Sequence, residues 1–192
     1  GKLTDSYFSG DVVPTYNGQY AGLVAGVSSE GVFERCFGIG TVHQPTNGVS
    51  ASGLGGVVGG IQGTIMKDCY FAGNLETSGT RTGAIVGVAL NAYDMEGHRN
   101  QNELTNVYAS GVFKSTSTEA YMPYIGKFDA STLGKAPAIT NAYFDRQINP
   151  NYKELNGALP TSQLAAASLE GFADSVWVFE AGRYPRLKGM EK

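Results

Sequence analysis

An aromatic residue followed three positions later by a glycine recurs along this chain. It reads YFSGDV at Tyr7, FGIGTV at Phe37, YFAGNL at Tyr70 and YASGVF at Tyr108. A fifth copy, YFDRQI at Tyr143, carries Arg146 where the others carry Gly10, Gly40, Gly73 and Gly111. The aromatics are spaced by 30, 33, 38 and 35 residues, and the residue before each is small or apolar: Ser6, Cys36, Cys69, Val107 and Ala142. Between them lies a second motif, a small apolar plug held between glycines. It appears as GLVAGV from Gly22, GVVGGI from Gly56 and GAIVGV from Gly83, and in degraded form as MPYIGK from Met122, which keeps Gly126. A two-part period of this length confines the chain to architectures in which one small unit stacks on the next.

The unit reads as β. In YFAGNL, Tyr70, Ala72 and Asn74 fall on one face and Phe71, Gly73 and Leu75 on the other, the period of a strand. Val, Ile, Tyr and Phe suit pleated surfaces, and no stretch before Thr161 sustains a helical period. Turns are expected at Asn17-Gly18 and Asn47-Gly48. A single unit cannot bury its apolar face, so the expected fold is an all-β solenoid, a right-handed β-helix over residues 1–157. The recurring glycines are then positions where neighbouring backbone leaves no room for a Cβ, or corners that need positive φ. Cys36 and Cys69 occupy equivalent sites and read as a buried ladder of small residues, with a disulfide between stacked units as the alternative.

Residues 158–192 depart from the period and read as a cap on the same domain. LPTSQLAAASLEGF offers Thr161 or Ser162 as an N-cap, an apolar stripe at Leu164, Ala167 and Leu169, and Gly171 as a stop. SVWVFEAGRYPRL reads as a hairpin turning at Ala181-Gly182, with Trp177 expected to pack over the last unit. A cap of this kind covers the exposed edge and core at the end of a stack.

Composition narrows the function classes. The chain holds 14 basic and 17 acidic residues, net −3, with neither sign in a run, so the basic stripe of a nucleic-acid binder is missing. No apolar stretch nears the ~20 residues of a membrane helix. His43 and His98 stand apart in polar contexts, without the His-Glu-x-x-His of a zinc peptidase, and no Ca²⁺-loop motif occurs. No cofactor or metal is expected. Two insertions, 90–105 and 129–140, are the places where a repeat protein carries binding groups. The first supplies the candidate binding loop: Tyr93, Asp94, Glu96, His98 and Arg99. Tyr16, Tyr20, Tyr93 and Tyr121, near turns, are of the type that stacks on sugars or anchors a partner. Asp68, Asp94, Glu96 and Glu103 are the carboxylates that a β-helical lyase or glycosidase would have to gather.

Gly22-Leu23-Val24-Ala25-Gly26 and its relatives at Gly56 and Gly83, with Cys36-Phe37…Gly40 and Cys69-Tyr70…Gly73, resemble GLUG-motif repeats. The closing Trp177…Gly182-Arg183-Tyr184-Pro185-Arg186-Leu187 is similar to the segment that ends such arrays. Arg146 and the MPYIG core depart from the pattern. The resemblance implies a β-solenoid within a large bacterial secreted or cell-surface protein, often adhesin-like. Similar repeats lie outside the catalytic region of zinc peptidases that cleave immunoglobulin A. It implies no catalytic residue. The expectation is a non-catalytic, monomeric segment of a longer chain that engages a glycan or another surface protein, without nucleic acid or membrane insertion. The alternative is a β-helical carbohydrate-active enzyme, a lyase or glycosidase.

Overall fold

A computed structural model describes residues 1–44, 51–77, 81–91, 96–114, 123–129 and 135–190. With strands numbered along the chain, each aromatic motif is part of one long strand. β1 (Lys2–Val12), β4 (Val32–His43), β7 (Ile65–Glu76), β10 (Glu103–Ser110) and β13 (Ala138–Asp145) lie side by side in that order, all parallel. The short β14 (Ala158–Leu159) pairs with the end of β13, and β11 (Phe113–Lys114) with the end of β7. Tyr7 pairs with Phe37, Phe37 with Tyr70, Tyr70 with Tyr108 and Tyr108 with Tyr143. The period in the sequence is therefore the register of the sheet, residue for residue.

The glycine-bracketed plugs build two smaller parallel sheets. One contains β2 (Tyr20–Gly22), β5 (Gly53–Gly55) and β8 (Thr82–Gly83), and the other β3 (Ala25–Ser29), β6 (Val58–Gln62), β9 (Val86–Leu90) and β12 (Ile125–Asp129). Each of the first three repeats visits the three sheets in turn. Gly22 pairs with Gly55 and Gly55 with Gly83, so the second plug begins at Gly55, not at Gly56. Gly56 and Val57 form the tight turn, and the strand starts only at Val58. Both glycines are needed: a Cβ on Gly55 would strike the Val58 carbonyl, and one on Gly56 the Ala84 carbonyl and the Phe71 ring. The Asn47-Gly48 turn and Met122 lie outside the described residues.

Each long strand bends at one residue in the left-handed region: Asp5, Arg35, Asp68, Asn106 and Asn141, with φ between 50° and 57°. That residue shifts the alternation by one. Phe33, Met66 and Leu104 face the main core before the bend, and Cys36, Cys69 and Val107 face it again after only three positions. The expected alternation then holds: Phe71 and Leu75 point into the main core, whereas Tyr70 and Ala72 point out of it. The main core is filled by Leu54, Val57, Val58, Ile61, Ile85 and Val86 from the plugs against Phe71, Val107 and Phe144 from the large sheet. Cys36 and Cys69 are both buried there as free thiols.

The outward aromatics form a stack of near-parallel rings. Tyr7–Phe37, Phe37–Tyr70 and Tyr70–Tyr108 centroids lie 4.9, 4.5 and 4.9 Å apart, tilted by 7–8°. Aromatic pairs contribute about 0.5–1.5 kcal/mol each beyond their burial. The C-terminal segment covers part of this stack, making a second core with Leu164, Leu169, Phe172, Trp177 and Leu187. Trp177 thus packs along the flank of the third and fourth repeats, 6.0 Å from Tyr70 and 5.8 Å from Tyr108, rather than over the last repeat. The cause is its indole N–H, which needs an acceptor once buried and donates to Asp68 Oδ1 at 3.1 Å.

The expected helix is also shorter. It spans only Thr161–Leu164 (α1), with Pro160 as its N-cap, and Ala167 is exposed. After Ala165 the chain turns so that Leu169 and Phe172 meet the aromatic stack, a spacing set by the rings and not by a helical period. β15 (Trp177–Val178) and β16 (Arg186–Leu187) pair antiparallel as the expected hairpin.

Candidate functional site

The first insertion folds back over the corners of the two preceding repeats. Tyr93 and Asp94 lie outside the described residues, as does Tyr121, and Glu96 is exposed. Arg99 is half-buried. Its Nε donates to the Gly63 carbonyl at 2.5 Å, and one terminal nitrogen reaches the carbonyls of Glu30 and, at 3.0 Å, Gly31. Glu30 and Gly63 both sit at left-handed corners, φ 52° and 55°, where strand pairing leaves carbonyls to be satisfied. His98 does not stand alone: its Nδ1 is 2.6 Å from Glu30 Oε1. That hydrogen bond, with help from Arg99, holds the Glu30 carboxyl below the usual carboxylate range. His43 likewise faces Glu76 at 3.4 Å from within β4. Of the predicted loop, His98 and Arg99 are brought together on Glu30 as a clasp between repeats.

Of the four carboxylates, Asp94 lies outside the described residues and the other three are not gathered in this way. Asp68 is buried beneath Trp177, where its Oδ1 accepts from the indole and, at 3.1 Å, from Asn106 Nδ2. Glu96 and Glu103 face solvent. Among the described residues, no three His, Cys, Asp or Glu side chains are grouped so as to hold a metal ion. Burial pushes the Cys69 thiol well up from its ordinary range.

Two grooves flank the large sheet. The larger, about 550 Å³, runs beside β13 and is lined by Tyr124, Ile139, Asn141, Tyr143 and Asn156. Its polar groups are already engaged: Tyr124 donates its one hydroxyl proton within reach of the Ala142 and Asn156 carbonyls, and Asn141 Nδ2 donates to Asn106. The second, about 430 Å³, lies between the outer face of the large sheet and the hairpin. Ile39, Ala72 and Ser110 from successive repeats make its floor, and Tyr70, Arg183 and Arg186 stand around it. Arg186 and Arg183 share one carboxylate, Glu180, at 2.6 and 3.3 Å. Burial raises the Tyr70 hydroxyl above the usual tyrosine range, opposed by nearby Arg186. The sequence signal for this groove was Arg183-Tyr184-Pro185-Arg186, two cations in the terminal hairpin, but nothing in the pattern said that they would face Tyr70.

The chain matches no family model, no curated protein and no solved structure. Its likeness to GLUG repeats rests on the quoted motifs alone.

Proposed function

We propose that the chain is a β-solenoid of GLUG-type repeats, coiled as a right-handed β-helix, that forms a non-catalytic segment of a bacterial secreted or cell-surface protein. Its role is to present a rigid lateral surface to a glycan or another surface protein. The observation that carries this reading is that the repeated residues are consumed by stacking. The aromatics stack on one another, the glycines admit neighbouring backbone, and the bend residues join across repeats. What differs between repeats, the insertions and the terminal hairpin, is left to do the recognising.

Binding of the purified chain to panels of glycans and surface proteins tests the role. Saturable binding supports it. Turnover of a polysaccharide that a single carboxylate substitution abolishes would replace it with the carbohydrate-active enzyme. Neither binding nor turnover leaves a passive spacer and sinks the adhesion reading. Small-angle scattering tests the solenoid, which a spherical envelope would exclude.

A further inference from the structure

The groove between the large sheet and the hairpin contains two hydroxyls that the fold itself does not use. Tyr70 and Ser110 are each only 4% exposed, yet neither Tyr70 Oη nor Ser110 Oγ has a hydrogen-bond partner among the described residues, and both residues line the groove. Neighbouring hydroxyls are occupied: Tyr108 donates to the Pro185 carbonyl, while Thr161 and Tyr184 donate to Asp145. Hydroxyls that open on a groove without a protein partner are free to bond what enters it, so two of them on one groove mark a place where water or a ligand completes the bonding.

The charged side chains that line the groove are Arg183 and Arg186. The carboxylates near it are engaged: Asp145 accepts from Thr161 and Tyr184, and Glu180 faces both guanidiniums, taking one of the five donors of Arg186. A guanidinium with spare donors beside neutral hydroxyl donors is the usual receptor for a carboxylate. The volume, about 430 Å³, falls in the range of small-ligand sites, and it suits one sugar unit rather than an extended chain. The flat floor of Ile39, Ala72 and Ser110 has no long side chain to obstruct a ring lying on it.

We propose that this groove binds the carboxylate of an acidic sugar residue, a hexuronate or sialic-acid-sized unit, with Arg183 and Arg186 supplying the charge and the Tyr70 and Ser110 hydroxyls the flanking hydrogen bonds. The proposal deepens the interaction role given above and rests on it for the ligand class. Burial keeps the Tyr70 hydroxyl protonated and therefore a donor throughout the neutral range.

Calorimetric titration of the whole chain with galacturonic acid, N-acetylneuraminic acid, neutral galactose and an acetylated peptide with a free C-terminus tests it. At least one acidic sugar is expected to bind about tenfold more tightly than galactose, and more weakly as salt rises. Tyr70→Phe keeps the stacked ring and removes only the hydroxyl; with Ser110→Ala it is expected to weaken binding several-fold at an unchanged thermal midpoint. Arg183→Gln, at an exposed position, is expected to weaken it about tenfold. Arg186→Gln should do the same, but it also loosens the hairpin, so Arg183→Gln and Tyr70→Phe decide. Neither acid binding more tightly than galactose, unchanged affinity in those two variants, or no binding of either acid overturns the proposal. Tighter binding of the peptide acid than of either sugar acid overturns the sugar assignment. A chain that binds a glycan panel equally well with Tyr70→Phe and Arg183→Gln combined keeps the interaction role and loses the groove. A chain that titrates with a sugar acid but adheres to nothing in the panels keeps the groove and loses the adhesive role.

Discussion

At the scale of single residues, the bends explain more of the fold than the aromatics do. Asp5, Arg35, Asp68, Asn106 and Asn141 hold a conformation that costs most L-residues about 1–2 kcal/mol, and Asn and Asp tolerate it best. They also bond to one another: Asn141 Nδ2 donates to Asn106 Oδ1 at 3.0 Å, and Asn106 Nδ2 to Asp68 Oδ1 at 3.1 Å. Arg35, the unusual member, compensates with Asp5 at 2.5 Å and the Lys188 carbonyl at 2.9 Å. Asn106→Val is expected to lose about 3 kcal/mol, from backbone strain and two hydrogen bonds, and Asn106→Gly about half that, in urea unfolding. The column was legible as a polar residue two positions before each aromatic. It carries no information about its φ, however, and a strict period of two hides it. The same scale sets the alkaline limit. Burial raises the Tyr70, Tyr108 and Tyr124 hydroxyls above their ordinary value. Their contribution is therefore fully present below about pH 10 and is lost as pH climbs toward the raised values. Exposed tyrosines ionise in the folded chain. The full tyrosinate absorbance is expected to develop only with the loss of β circular dichroism above about pH 10; full ionisation while the fold persists would contradict this.

Among the elements, the short strands pass so close together that side chains are excluded. A Cβ on Gly59 would meet the Ala21 amide and the Gly26 carbonyl, and one on Gly73 the Gly40 carbonyl. Gly97, at φ 83°, has open space around it. Gly59→Ala is expected to cost more than ~3 kcal/mol and Gly97→Ala about 1 kcal/mol, which separates collision from backbone strain in thermal unfolding. The period, the strand assignment and the inward-outward alternation after the bend were all readable, because stacked repeats force the same residue type onto the same site. The phase of the second plug was not. In Gly55-Gly56-Val57-Val58-Gly59-Gly60 either glycine fits the pattern, and only packing against Ala84 and Phe71 chooses. The capping segment was half legible. Its hairpin followed from Ala181-Gly182, whereas the apparent helical stripe at Leu164 and Leu169 is the imprint of the rings beneath it. Of the candidate loop, the charged residues were findable but not their use: Arg99 and His98 answer to Glu30, 69 and 68 residues earlier.

For the molecule as a whole, the two ends of the large sheet are unlike. At the last repeat the end of β13 is paired by β14, and its Asp145 ties down the capping segment by accepting from Thr161 Oγ1 and Tyr184 Oη. Among the described residues, β1 and β3 of the first repeat are sheet edges, with Phe8 47% and Val27 57% exposed. Such an edge is a template for another strand. Reversible self-association at high concentration is expected in sedimentation, and Phe8→Lys is expected to reduce it. Removing residues 160–192 uncovers Tyr70 and Tyr108, and is expected to raise dye binding to apolar surface and to broaden thermal unfolding. The matched register has a different consequence, for heredity. Because every column repeats with the same phase, a recombination that drops or duplicates one whole copy rejoins equivalent sites wherever the crossover falls, and the product still packs. The exceptions are the copies bearing Asp68, Tyr108 and Asp145, to which Trp177, Pro185 and Tyr184 of the capping segment bond. Lineages of such a gene are free to vary in copy number except where a copy anchors the capping segment.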